Sequence, residues 1–180
     1  MAFITIEEVP SQGQPWSASV SFNHGSRYQT TVHDPFSPEQ EEELEWYFEE
    51  HLRFPFTSQR RAQNAATSIK SYGEHLFNQI FADRQAYSAY KGCLQGGLST
   101  LQIEIAGSPA FHALHWEALK DPALPHPLSL QAIMVRKNLV TSPVQASVRP
   151  SPTINLLIVT ARPSGGQDVG YRTISRPMVE

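Results

Sequence analysis

Cys93 is the only thiol in the chain, and seven histidines are the only imidazoles that could serve it as a base. A cysteine nucleophile needs such a base within hydrogen-bond reach, and usually a donor for the developing oxyanion. No histidine lies near Cys93 in sequence. The cysteine falls on the apolar side of an expected helix, where a lone thiol behaves as a small core residue. His24 alone stands before a glycine, and Asn23-His24-Gly25 is turn chemistry between two strand-like runs. His112 and His115 are spaced i, i+3, but zinc needs three or four ligands, and there is neither an HExxH nor a cysteine pair. No metal is expected.

The other chemistry-bearing runs resolve similarly. "PEQEEELEWYFEE" holds seven carboxylates between Glu39 and Glu50. The early ones suit the positive end of a helix dipole, and the run reads as a solvated helix face. "SGGQDVG", at 164–170, contains neither GxxxxGK[ST] nor GxGxxG, so it reads as a loop and not a phosphate cradle. No GxSxG occurs either. No cofactor is expected.

The elements that position these residues change period along the chain. Alternation over residues 2–7 predicts a short strand. Trp16, Ala18, Val20 and Phe22 alternate with serines, and Tyr28 to Val32 returns antiparallel, which predicts a hairpin. Ser37-Pro38-Glu39-Gln40 is a helix start with a capping box, followed by Leu44, Tyr47, Phe48 and Leu52 at helical spacing. "FPF" at 54–56 ends that helix. A second helix over 58–81 carries Ala62, Ala65, Ile69, Tyr72, Leu76 and Ile80 on one stripe. A third, over 84–94, stops at Gly96-Gly97. Leu101, Ile103 and Ile105 predict a strand, "FHALHWEALKDP" a short helix, and "LQAIMVRKN" another strand. A proline-rich connector at 141–153 precedes "INLLIVTA", whose nearly continuous apolar run suits a strand covered on both faces.

The bulk properties narrow the class. The chain has 180 residues, 40% apolar and 17% charged, with a net charge of −3. That suits a globular α/β protein and points to no nucleic acid and no membrane surface. There is no apolar run near the ~20 residues of a membrane span and no signal-peptide pattern at the N-terminus. A single thiol fits a cytoplasmic location.

Three segments resemble the first part of a CHAT domain, the caspase-like family of cysteine peptidases often found beside tetratricopeptide repeats. His115-Trp116-Glu117 with Ala118-Leu119 is similar to the family's Pro-Trp-Glu-Leu element, with histidine in place of the proline. Val135-Arg136 matches a strand that ends in arginine. Ala161-Arg162-Pro163 and Tyr171-Arg172 to Arg176-Pro177 match the next strand's end and an arginine-rich helix start. The resemblance covers residues 99–180. It implies two regions: a β-hairpin and helical leader at 1–98, and the opening of a caspase-like sheet at 99–180.

The resemblance also implies that the family's His-Gly and cysteine strands would follow the helix begun at Thr173. The chain is then the front of a longer peptidase-related protein, inactive by itself, with protein or peptide partners. Cys93 maps onto no family nucleophile. Arg162 and Arg172 would sit at the substrate edge, beyond a strand's carboxyl end, where a guanidinium could receive an acidic side chain. Alternatively, one of them pairs with Asp168 and pins the loop. Trp116 is expected as a buried anchor, and Glu117 as the partner of a basic residue such as Arg136. The strand at 154–160, apolar on both faces, predicts self-association. The alternative from a different class is a non-catalytic interaction or scaffold module that uses the helical leader.

Overall fold

Five strands form one mixed sheet in the order β3-β2-β1-β4-β5. The computed structural model describes residues 1–10 and 15–138. β1 (Ala2–Val9), β2 (Trp16–Phe22) and β3 (Arg27–Val32) run antiparallel, while β4 (Leu101–Gly107) and β5 (Ile133–Asn138) continue parallel from β1. The protein is thus mixed α/β. These strands belong to a compact unit spanning Met1–Thr141. The expected division between residues 98 and 99 falls between neighbouring strands of the same sheet.

The hairpin follows its sequence. Asn23 and His24 both take positive φ (49° and 59°), a conformation asparagine tolerates well. The Asn23 side chain accepts from the Phe3 N–H at 2.8 Å, and the Asn23 N–H donates to the Phe3 carbonyl at 2.8 Å. The turn is thereby fastened to β1.

One face of the sheet is the core face. Ile4 and Ile6, Trp16, Ala18, Val20 and Phe22, and Leu101, Ile103 and Ile105 are buried there, as the period-2 patterning requires. Against them lie α2 (Gln59–Ile80) with Tyr72, Leu76, Phe77 and Ile80, and α3 (Arg84–Cys93) with Ala86, Tyr90 and Cys93. Asp83 caps α3 by accepting from the Gln85 and Ala86 N–H groups at 2.8 and 2.9 Å. Of the stripe read from α2, all members are buried except Ile69, which is half-buried.

Two elements differ from expectation. The first helix, α1 (Pro38–Trp46), starts as its signals require, with Gln40 Oε1 accepting from the Ser37 N–H at 3.0 Å. It does not continue regularly, but widens into a π turn over Tyr47–His51. The wider turn lets His51 bury itself beside the Trp46 and Tyr47 rings, at 5.6 and 5.5 Å between centroids. Phe48 and Leu52 are left exposed.

The second difference is the expected helix in "FHALHWEALKDP". The segment forms a single turn, α4 (Pro109–His112), and a 3-10 turn over Trp116–Ala118. The helical path breaks at His115, whose N–H donates to the Tyr72 hydroxyl at 3.1 Å. Trp116 then drops into the core.

Gly73, inside α2, permits this arrangement. A Cβ there would lie 1.8 Å from the Ala118 carbonyl oxygen and 3.2 Å from Lys120 Cβ. The Gly73 carbonyl accepts from the Lys120 N–H at 3.1 Å. Gly73→Ala should therefore destabilise by about 1–3 kcal/mol through overpacking, outweighing the ~1 kcal/mol gained in helix propensity. Urea denaturation of the variant checks this; a stability gain would show that the backbone yields freely.

Candidate functional site

The segment Trp116–Asp121 gathers most of the unusual side chains. Trp116 is fully buried. Its indole N–H donates to the Phe111 carbonyl at 2.8 Å, and its ring lies 4.9 Å from the Phe111 ring. Phe111 in turn meets Trp16 edge-on at 6.0 Å. This is the anchoring geometry of a large aromatic whose polar handle is satisfied.

Glu117 turns outward instead. Its carboxylate receives the Arg136 guanidinium through Nε at 3.1 Å and Nη2 at 2.8 and 2.6 Å. Arg136 also donates to the His112 carbonyl. The His112 ring Nε2 lies 3.0 Å from the Lys137 carbonyl, so the ring carries its proton there. The Ser129 hydroxyl donates to the Glu117 carbonyl at 2.7 Å. These contacts tie α4, the 3-10 turn and β5 together. Burial alone would raise the Glu117 carboxyl, but the Arg136 bonds prevail and hold it below the ordinary range.

Lys120 and Asp121 are 3% and 1% exposed. Lys120 Nζ donates to Glu74 Oε1 at 2.8 Å. Asp121 Oδ2 accepts from Lys91 Nζ at 2.9 Å and the Tyr90 hydroxyl at 3.1 Å, and Oδ1 from the Ala123 N–H at 2.9 Å. Burial would push Asp121 up; Lys91, the Ala123 N–H and Tyr90 together bring it below the usual value. Burial raises the Tyr90 hydroxyl, and the facing Asp121 charge raises it further.

His115 pairs with Glu41, with Nε2 at 3.0 Å from both carboxylate oxygens, and its ring lies edge-on to the Tyr72 and Phe36 rings, at 5.3 and 6.3 Å. His112 and His115 therefore turn to different partners and converge on no shared ion. Among the described residues no group of three or more potential ligands could hold a metal. Cys93 lies far from nucleophile chemistry. It is 6% exposed, burial raises its thiol, and its polar contact is Asn23 Nδ2 at 4.0 Å. All seven histidines lie among the described residues, and none hydrogen-bonds Cys93.

The structure thus brings Trp116, Glu117 and Arg136 into one cluster. Arg162, Arg172, Asp168 and the strand expected at 154–160 lie outside the described residues. Sequence reading did not single out Gly73, Lys120, Asp121 or the Glu41–His115 pair. Comparison of the chain with protein-family models, curated proteins and solved structures finds no match. Among the described residues no helix is long and apolar enough to cross a membrane.

Two outcomes are expected of this cluster. Trp116→Ala should cost about 3–5 kcal/mol in denaturant melts, the range for deleting a buried aromatic; a loss under ~0.5 kcal/mol would mark the ring as peripheral. Asp121 has a folded pKa below its unfolded value of about 3.9, so its contribution is full above that value and lost as pH falls through the folded one. Asp121→Asn should therefore cost about 1.5–3 kcal/mol at pH 7, with the gap to the unaltered protein closing at lower pH. Paired urea melts at neutral and acid pH measure this, and a gap independent of pH would mean the carboxyl is not ionised in the fold.

Proposed function

We propose that this chain is the structural front of a CHAT-type, caspase-like fold acting on proteins or peptides, and that it carries no catalytic dyad of its own. The observation that supports it most directly is the Trp116–Glu117–Arg136 cluster. These residues, which carry much of the resemblance, form one brace across the parallel crossover from β4 to β5. The Trp-Glu element anchors by its tryptophan and clasps the following strand by its glutamate.

The rest of the chemistry agrees with a bracing role. The single thiol is buried and has no imidazole beside it, and a cysteine peptidase needs that pair. The chain works in the cytoplasm, with neither nucleic acid nor membrane as partner. A non-catalytic interaction module is the second reading, favoured by one observation. Phe48, Leu52, Phe54 and Phe56, close together after α1, are 55%, 52%, 63% and 90% exposed, more apolar surface than a lone soluble unit usually shows in so short a segment.

Incubating the 180-residue chain with a pooled peptide library should yield no cleavage. Cleavage that disappears in Cys93→Ala would overturn the reading. Light scattering across a concentration series should show self-association. A clean monomer with strongly protected amides throughout 154–160 would overturn that expectation and mean that the leader itself completes the sheet.

A further inference from the structure

The outer edge of β3 runs beside a cavity of about 760 Å³ that opens between this strand and the C-terminal half of α2. Gln29 and Thr31 line it from the strand, and His75, Asn78 and Gln79 from the helix. That volume lies within the range of about 300–1,000 Å³ typical of ligand sites. Among the described residues β3 pairs with β2 alone. Five consecutive residues of it, Tyr28 to Val32, carry no charge, and none of the usual edge-blunting devices, such as a lysine, a proline or a bulge, interrupts them.

The direction of the free main-chain groups can be read from His33. Its N–H is held by Gln79 Oε1 at 2.8 Å, on the helix side and away from β2. Main-chain groups in an antiparallel ladder alternate between the two sides of a strand. Thr31 and Gln29 therefore direct their N–H and C=O groups outward, along the cavity. Among the described residues these groups have no partner. The Thr30 hydroxyl, bonded to the Gln79 carbonyl, fixes the helix at the rim of the groove.

We infer that this groove takes an extended peptide segment of a partner protein, added as a sixth strand along β3. An open ladder specifies a β-strand as its occupant, because only an extended chain meets N–H and C=O groups at this spacing. The lining supplies the side-chain preference. It contains amides, hydroxyls, two imidazoles (His33 and His75) and the apolar Pro35 and Ala82, and no carboxylate, lysine or arginine. A charged side chain buried there would find no opposite charge. The groove-facing side chains of the occupant are accordingly uncharged. A second copy of this chain fits less well. α2 flanks the edge of its own β3, so two copies meeting edge to edge would press their α2 helices together, whereas a single strand enters freely. This goes beyond the peptidase-related reading and does not depend on it.

The test uses the 180-residue chain and a displayed library of random heptapeptides, with the enriched sequences synthesised end-capped and titrated. Enriched peptides should carry uncharged residues at alternate positions. Their binding should slow hydrogen exchange at the Gln29 and Thr31 amides. Thr31→Pro removes one outward N–H and leaves the β2 ladder intact; it should weaken binding about 2–13-fold, as expected for one main-chain hydrogen bond. If that variant does not fold, the exchange measurement on the unaltered chain decides alone. Three results would overturn the inference: a library that yields no binder, binding that leaves both amides unchanged, or an unliganded dimer that Thr31→Pro converts to monomer, which would make a second copy the occupant.

Discussion

The close approach of two backbones, α2 at Gly73 and the turn at Ala118, is the constraint on which the rest of the fold hangs. A hydrogen at Gly73 leaves room for a carbonyl where a methyl group would collide with it. That contact sets the depth of the whole 116–121 segment. It places Trp116 among the core side chains, Lys120 against Glu74 and Asp121 against Lys91 and Tyr90. α2, α3 and the sheet are thereby cross-tied by one short irregular stretch, without a long helix doing the job.

The polar contacts of that stretch differ in weight. Glu117 and Arg136 form a well-shaped fork, yet their side chains are 61% and 37% exposed, so water screens the pair to roughly 0–1 kcal/mol. Its role is positional, holding β5 in register with the turn. Asp121 is almost wholly enclosed, and an ionised group there would be costly without its three donors. The Trp-Glu element is thus half anchor and half clasp, and the strongest electrostatics lie just after it, at residues that the resemblance does not mark.

Legibility in the sequence followed the physics of each element. Period-2 runs revealed β1 to β4, with turn residues marking the hairpin, because one face of each had to meet the core; β5 was legible only as a strand-like run. A capping box revealed the start of α1, a clean apolar stripe α2, and the Gly96-Gly97 stop the end of α3. The pairing of Glu117 with Arg136 could be reasoned from charge and the order of elements. The π turn could not, since it depends on His51 stacking against rings already placed by tertiary packing. The break at His115 was hidden for a similar reason: Phe111, Leu114 and Ala118 have a helix-compatible spacing, and a tyrosine hydroxyl from another helix decides otherwise. Gly73 was silent because glycine inside a helix has no local signature. Its meaning exists only once Ala118 arrives.

The position of β1 has a consequence for how the chain comes to be folded. β1 is the central strand, and its two neighbours reach it at very different times. β2 follows at once, and its antiparallel pairing closes a short loop. β4 comes only after α1, α2 and α3, with Ala2 opposite Leu101. Closing so long a loop costs more entropy, and such distant pairing slows folding. On the ribosome, the nascent chain must therefore carry a three-stranded meander with one bare inner edge and the apolar side chains of Ile4 and Ile6 uncovered until much of the polypeptide has emerged. The central strand is thus among the last elements to gain both its neighbours, and the interval before β4 arrives is when this fold is most exposed to misassembly and to chaperone capture.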